Sequence, residues 1–468
     1  MNNSGEFRQA KWRKIGALSV FALLVLAAAS GFGQVPDPIF SDPTDPGYTG
    51  PAPVTRDTVT TPNLGNVNEN ADTTQYVDRE AGPFNFGLDL KSGYGDNLFN
   101  TAGSAQSGYY SGFGVPVGLR LRSKQTLFDA NYRIDQVYYP QFSDVANTSQ
   151  SFTSQLEHHA SEHTSYFWNL TGGRINNFGQ YLPAFIQIGN TGVAQGSVRT
   201  NGLENGYTTS NAASSLGFTH ALSERNQVFG TATFGWVEQA EGKGAPGQPR
   251  QFLRSELAGL DLRYDHATGP RSSIGAEVTN VYIRGLAPRG HDNYTTLSAI
   301  YRRALTGHLD FHASAGPLFS VASGGGVGGG QHNFTYAASA NLDYSIAHTR
   351  IGIGYNRVVQ LGYIQSSITA NQFSGMFDRE LSPTIDLTID GRYVRSDSSS
   401  AFLRQSQFGV DGRINKRIAG NVLLFVSANR SQQSAPTALG NSNSFNRDDV
   451  SAGITVLFGN PIYSRGVH

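Results

Sequence analysis

The sequence predicts an all-β protein: a transmembrane antiparallel up-and-down β-barrel of about 18 strands, 16 to 18, with short periplasmic turns and long outer loops. Three observations carry this. Apolar and polar residues alternate, at period two, in segment after segment from Phe84 onward. Most of those segments run about 11–15 residues, longer than the ~5–6 of a globular strand and enough for the ~9–11 that a tilted membrane strand needs. The connections alternate short and long, as they do in bacterial barrels.

Composition agrees. Of 468 residues, 38% are hydrophobic and 15% charged, against about 45–50% and 25% in soluble domains. Fifty-five Gly, 21 Tyr and 28 Phe suit a lipid-facing band around a wet interior. A secreted β-rich protein or a β-solenoid is the alternative. The formal net charge is zero, so nothing points to nucleic acid. The chain has no Cys, which excludes disulfides, thiolate metal sites, a catalytic thiol and a lipid-modified N-terminal Cys.

Lys11, Arg13 and Lys14 precede the apolar run Ile15–Ala29, and small residues follow. Residues 1–33 therefore read as a secretory signal peptide, cut between Ala29 and Gln34. The rival, an uncleaved anchor, requires about 20 apolar residues. Residues 34–82 are rich in Pro, Asp, Thr and Asn and read as a disordered periplasmic linker. Its length and composition argue against a folded plug. The barrel is expected over 83–460 and a tail over 461–468.

Candidate strands are 84–94, 109–122, 125–138, 151–162, 164–176, 207–221, 225–236, 251–265, 270–283, 291–304, 307–320, 332–346, 349–362, 369–381, 384–397, 402–418, 420–432 and 446–458. The first sets Phe84, Phe86, Leu88 and Leu90 against Asn85, Asp89 and Lys91. The third sets Phe128, Ala130, Tyr132 and Ile134 against Asp129, Asn131, Arg133 and Asp135. The last places Val450, Ala452, Ile454, Val456 and Phe458 on one face and Ser451, Gly453, Thr455 and Leu457 on the other. The fourth, with Glu157, His158, His159 and Glu162, shows the pattern weakly. Long loops are expected at 95–108, 139–150, 177–206, 237–250, 321–331 and 433–445, and shorter ones in the same phase at 284–290, 363–368 and 398–401. Aromatics near strand ends, among them Tyr109, Tyr110, Tyr138, Tyr139, Tyr166, Trp168, Phe234, Trp236 and Tyr363, suit interfacial girdles or plain β-propensity.

The segment Leu88–Asn100, LDLKSGYGDNLFN, resembles the opening strand of the β-barrel porin families of proteobacteria and acidobacteria. Their Gly-Tyr-Asp-Asp-Asn-hydrophobic element stands here as Gly93, Tyr94, Gly95, Asp96, Asn97 and Leu98, with Gly95 in place of the first Asp. The closing strand resembles the terminal signal of such barrels, with Phe458 in the aromatic position and ten residues after it. The resemblance implies a pore or export role, no catalysis, and the barrel-assembly machinery as a partner.

Parity places Asp89, Lys91, Arg120, Arg122, Asp129, Arg133, Asp135, Asp261, Arg263, Glu277, Asp386, Asp390, Arg392, Asp411 and Arg413 on the inner face. Both signs across a pore filter solutes by charge and size; alternatively the charges pair along the wall. His158, His159 and His163 lie close together, and on a strand His159 and His163 share a face but stand too far apart for one metal unless a turn intervenes, so no metal is assigned. No nucleophile motif stands out, and no cofactor is implied. Gly324–Gly330 lacks the residues of a phosphate loop and reads as an outer loop, and 177–206 as a loop able to fold inward. The expected function is passive diffusion of small hydrophilic solutes through a porin-like channel, with outer-membrane lipid and lipopolysaccharide around it. The alternative is a barrel component of a polysaccharide export or surface-assembly system.

Overall fold

The computed structural model describes residues 84–98, 107–141, 146–177, 207–241, 252–287, 289–324, 331–361, 367–397, 405–434 and 445–458. The signal peptide, the linker, the C-terminal tail, Tyr363, Gly325–Gly330 and nearly all of the 177–206 loop lie outside them. The described chain forms eighteen strands: β1 (Phe84–Gly95), β2 (Gly108–Arg122), β3 (Thr126–Tyr138), β4 (Ala146–Ser161), β5 (Thr164–Asn177), β6 (Tyr207–Ser223), β7 (Asn226–Glu241), β8 (Phe252–Gly269), β9 (Ser272–Ala287), β10 (Arg289–Ala304), β11 (Leu309–Gly324), β12 (Gln331–Ile346), β13 (Thr349–Leu361), β14 (Ser367–Ser382), β15 (Ile385–Asp397), β16 (Gln405–Ala419), β17 (Val422–Ser434) and β18 (Phe445–Phe458).

Each strand pairs antiparallel with its neighbour in sequence, and β1 also pairs with β18. The sheet is therefore a closed up-and-down barrel. Closure leaves no edge, so every ladder hydrogen bond finds a partner within the chain. At the seam the register runs from Phe86↔Phe458 to Gly95↔Asp449, which brings both ends of the barrel to the same rim.

The ladders outrun the alternation at several strand ends. β4 begins at Ala146 rather than 151, and the residues expected as a loop at 284–290 are strand on both sides, with Arg289 opposite Leu286. Polar side chains such as Arg284 and Arg289 hide strand ends from a hydrophobicity reading, yet the ladder is made by backbone groups and continues past them.

At one rim the turns are tight. Ser161↔Thr164, Ser223↔Asn226, Gly269↔Ser272, Ser382↔Ile385 and Ala419↔Val422 each enclose two residues, with a one-residue register shift just before the turn. Bulges of this kind are common at barrel rims. The β12–β13 turn encloses Ala347 and His348, with Ala347 at φ 42°, the positive φ that a two-residue hairpin demands.

Alternation sorts the wall into two faces. Phe86, Leu90, Phe113, Leu216, Phe234, Leu260, Leu297, Phe334, Ile353, Phe373 and Val450 are exposed on the outside, Phe334 by 72%. Rings meet along this face: Phe86 stacks on Phe458 at 4.9 Å, and Phe373 lies between Tyr355 at 5.0 Å and Tyr393 at 6.4 Å. Even Trp168 is satisfied there, its indole N–H donating to Ser214 Oγ at 2.8 Å. Tyr110 and Tyr139 are not part of any outer girdle: both are buried and pack with Leu98.

Candidate functional site: the barrel interior

All fifteen predicted charged residues carry inward parity. The structure gathers them into separate patches instead of spreading them evenly.

The first patch lies beside the seam. Asp89 on β1 faces Gly114 on β2, and Gly114 faces Asp135 on β3. Arg133 reaches over that glycine, with Nη1 2.5 Å from Asp89 Oδ2 and Nη2 2.7 Å from Asp135 Oδ1. A Cβ at Gly114 would stand 2.5 Å from Asp135 Oδ1, so only the missing side chain leaves room for the bridge. One guanidinium bridging two buried carboxylates gives each an opposite charge at contact distance. Lys91 lies one inward position further along β1, opposite Gly112 and Gly453. Nearer the short-turn rim, Arg120 Nη2 sits 2.6 Å from Asp129 Oδ2, and Arg122 is exposed at the end of β2.

The second glycine crossing ties the seam itself. Gly93 on β1 lies between Tyr110 on β2 and Ser451 on β18. The Tyr110 hydroxyl crosses it and donates to Asp449 Oδ1 at 2.7 Å, while Arg447 Nη2 holds Asp449 Oδ2 at 3.0 Å. The motif after Gly93 completes the closure. The Asp448 N–H donates to Asp96 Oδ1 at 2.7 Å, Asn97 Nδ2 donates to the Asn446 carbonyl at 3.2 Å, and Leu98 is buried. Arg447 and Asp449 were not among the expected inner residues; the closing strand's inward series, followed back from Ser451, reaches both.

The second patch spans β8 and β9. Arg263 pairs with Asp265 through Nε at 2.7 Å and through Nη2, and it faces Glu277 across the ladder. Asp261 accepts a hydrogen bond from Thr279 Oγ1 at 3.0 Å, and Glu277 is fully buried. The third patch spans β14 to β17. Asp390 stands directly opposite Asp411, and Asp386 opposite Asn415. Arg392 Nη2 donates to Gln372 Oε1 at 3.2 Å. Arg413 donates from Nε to Asn415 Oδ1 at 2.8 Å and lies 4.3 Å over the Phe425 ring, a cation–π placement.

The interior is not polar throughout, contrary to the simple expectation of a wet lumen. Ala213, Leu257, Val281, Ile283, Tyr294, Leu318 and Ala337 share inward parity and form one buried cluster, with Val281 and Leu318 at 0% exposure. Phe167 on β5 and Phe229 on β7 stack at 5.5 Å across Gly217 of β6, where a Cβ would meet the Phe167 ring. Alternation alone does not reveal these residues, because a lone apolar residue among polar ones on the inner face looks like noise.

The three clustered histidines diverge. His158 faces out beside Thr126, His159 Nε2 lies 3.2 Å from inward Glu157, and His163 occupies the turn. Among the described residues no group of three His, Asp or Glu suits a metal, and no helix is long and apolar enough to cross a membrane.

No protein-family model matches the chain, and no curated protein matches it in sequence. Solved structures of similar shape include an FrpB iron transporter from Neisseria meningitidis, at TM-score 0.44 and 9% identity over 83% of both chains. The ferric-catecholate import receptor Fiu from E. coli K12 has TM-score 0.41 and 9% identity over 81% of this chain and 82% of that one. OccK2 (OpdF) from Pseudomonas aeruginosa has TM-score 0.42 and 11% identity over 81% of this chain and 98% of that one.

Proposed function

We propose that this chain is an outer-membrane channel that passes small hydrophilic solutes by passive diffusion. One observation carries the reading: a closed barrel turns exposed large apolar side chains outward and paired charges inward. In water that arrangement is inverted, whereas in a bilayer it is the one that satisfies both faces. The N-terminal sequence supports export, and the short-turn rim, which holds both barrel ends, is then the periplasmic one. Eighteen strands leave room for a water path. The apolar cluster lies on the β6–β12 side, which the second charged patch shares, and narrows that path there, while the first and third patches lie away from it.

The test is electrical. The full chain, extracted from outer membranes in detergent, is added to planar bilayers. Discrete ohmic conductance steps are expected, along with a faster-migrating band on gels when the sample is left unboiled. A heat-modifiable barrel without conductance would overturn the channel and leave a closed scaffold, as in a surface-assembly role.

A further inference from the structure

At the short-turn rim a single position recurs around the barrel. It is the outward residue of each even-numbered strand that pairs with the first residue of the preceding strand. His158 pairs there with Thr126, His220 with Thr164, His266 with Asn226, Arg303 with Ser272, Arg379 with Thr349 and Lys416 with Ile385. Leu119, Tyr344 and Val456 break the series. The positions are level with one another. In each case the next residue donates its backbone N–H to a carbonyl of the neighbouring short turn, as from His159 to Gln125, Ala221 to His163, Ala304 to Arg271 and Arg417 to Thr384.

The flanking residues fix the depth of this ring. One outward rung up, the pairs are apolar or aromatic, among them Phe128↔Leu156, Ile274↔Tyr301, Ile351↔Phe377 and Leu387↔Ile414. On the turn side, two residues on, Leu222, Leu305, Leu381 and Ile418 are exposed. Cations set between apolar rungs belong at the boundary of hydrocarbon and headgroups, where long stems reach the polar layer. No carboxylate shares these outward rungs among the described residues. The opposite rim is mixed, with Arg254 3.8 Å from Glu256 and Arg430 3.7 Å from Asp448 on the outer face.

We propose that this basic belt binds the phosphate groups of anionic phospholipids in the leaflet at the short-turn rim. The inference rests on the membrane-barrel reading above. Arg303, Arg379 and Lys416 are exposed and carry permanent charge, and the three histidines add to it when protonated. A cation near an anionic surface contributes roughly a fivefold preference.

The full chain is placed in phosphatidylcholine vesicles with a minority of spin-labelled phosphatidylglycerol or spin-labelled phosphatidylcholine, and the immobilised lipid fraction is read by electron paramagnetic resonance. Phosphatidylglycerol is expected to be enriched about fivefold or more. The Arg303→Gln, Arg379→Gln, Lys416→Gln variant should bring it near parity, while Arg254→Gln, Arg430→Gln on the other rim should leave it enriched. Equal immobilisation of both lipids by the wild-type chain, with heat-modifiable migration retained, overturns the belt and spares the membrane reading. Loss of the preference in the opposite-rim variant also overturns it. If no lipid of either kind is immobilised and migration does not change with heat, the membrane reading falls and the belt with it.

Discussion

The Tyr110 hydroxyl donates to Asp449 across the barrel seam at 2.7 Å, although 339 residues separate them in sequence. The bond passes over Gly93, where an added Cβ would stand 2.5 Å from the tyrosine ring and its oxygen. The second and last strands are thus tied by a side chain across the first strand, in addition to the ladders each makes with it. Tyr110→Phe removes one buried bond to a charged group, worth about 1.5–3 kcal/mol. Arg447 still holds Asp449, so the lower end is expected. Urea unfolding of the refolded barrel in vesicles measures it.

Gly114 makes the same kind of window for Arg133. A methyl group there collides with Asp135 and the guanidinium, so Gly114→Ala should break a buried ion bridge at a cost of about 3–5 kcal/mol. Gly409 also faces inward, but an added Cβ meets nothing within 4 Å. Gly409→Ala should be neutral or up to about 1 kcal/mol stabilising. Unfolding midpoints measured side by side should fall for Gly114→Ala and stay level or rise slightly for Gly409→Ala.

The outer face decides between lipid and water. Ile353 is 60% exposed on β13 and Leu260 49% exposed on β8. Arginine at either site should cost about 2–4 kcal/mol in a bilayer, read as lower folded yield and a lower urea midpoint. A water-exposed strand would tolerate the change within about 0.5 kcal/mol, and that result would contradict the membrane reading.

Ion selectivity should follow the third inner patch. Asp390 and Asp411 stand opposite one another, with Asp386 four residues along β15 on the same face. Carboxylates lining a narrow path attract cations. Replacing all three by Asn should shift the reversal potential under a salt gradient toward anions. An unchanged potential would place the ion path away from β15 and β16.

Much of this protein was decided locally. The alternation of Phe84 to Leu90 against Asn85 to Lys91, repeated strand by strand, brought the number of strands to within about two and told which side of each carries charge, because neighbouring side chains on a strand must point opposite ways. A one-residue slip would turn every charge outward, so the pattern is strict. What it could not contain is which residues meet across strands. The reach of Arg133 over Gly114, the tie from Tyr110 to Asp449, the apolar cluster around Leu318 and the level ring of basic residues all depend on inter-strand register. That register is set jointly by eighteen ladders closing on one another, and closure is a property of the whole ring that no single stretch of chain encodes.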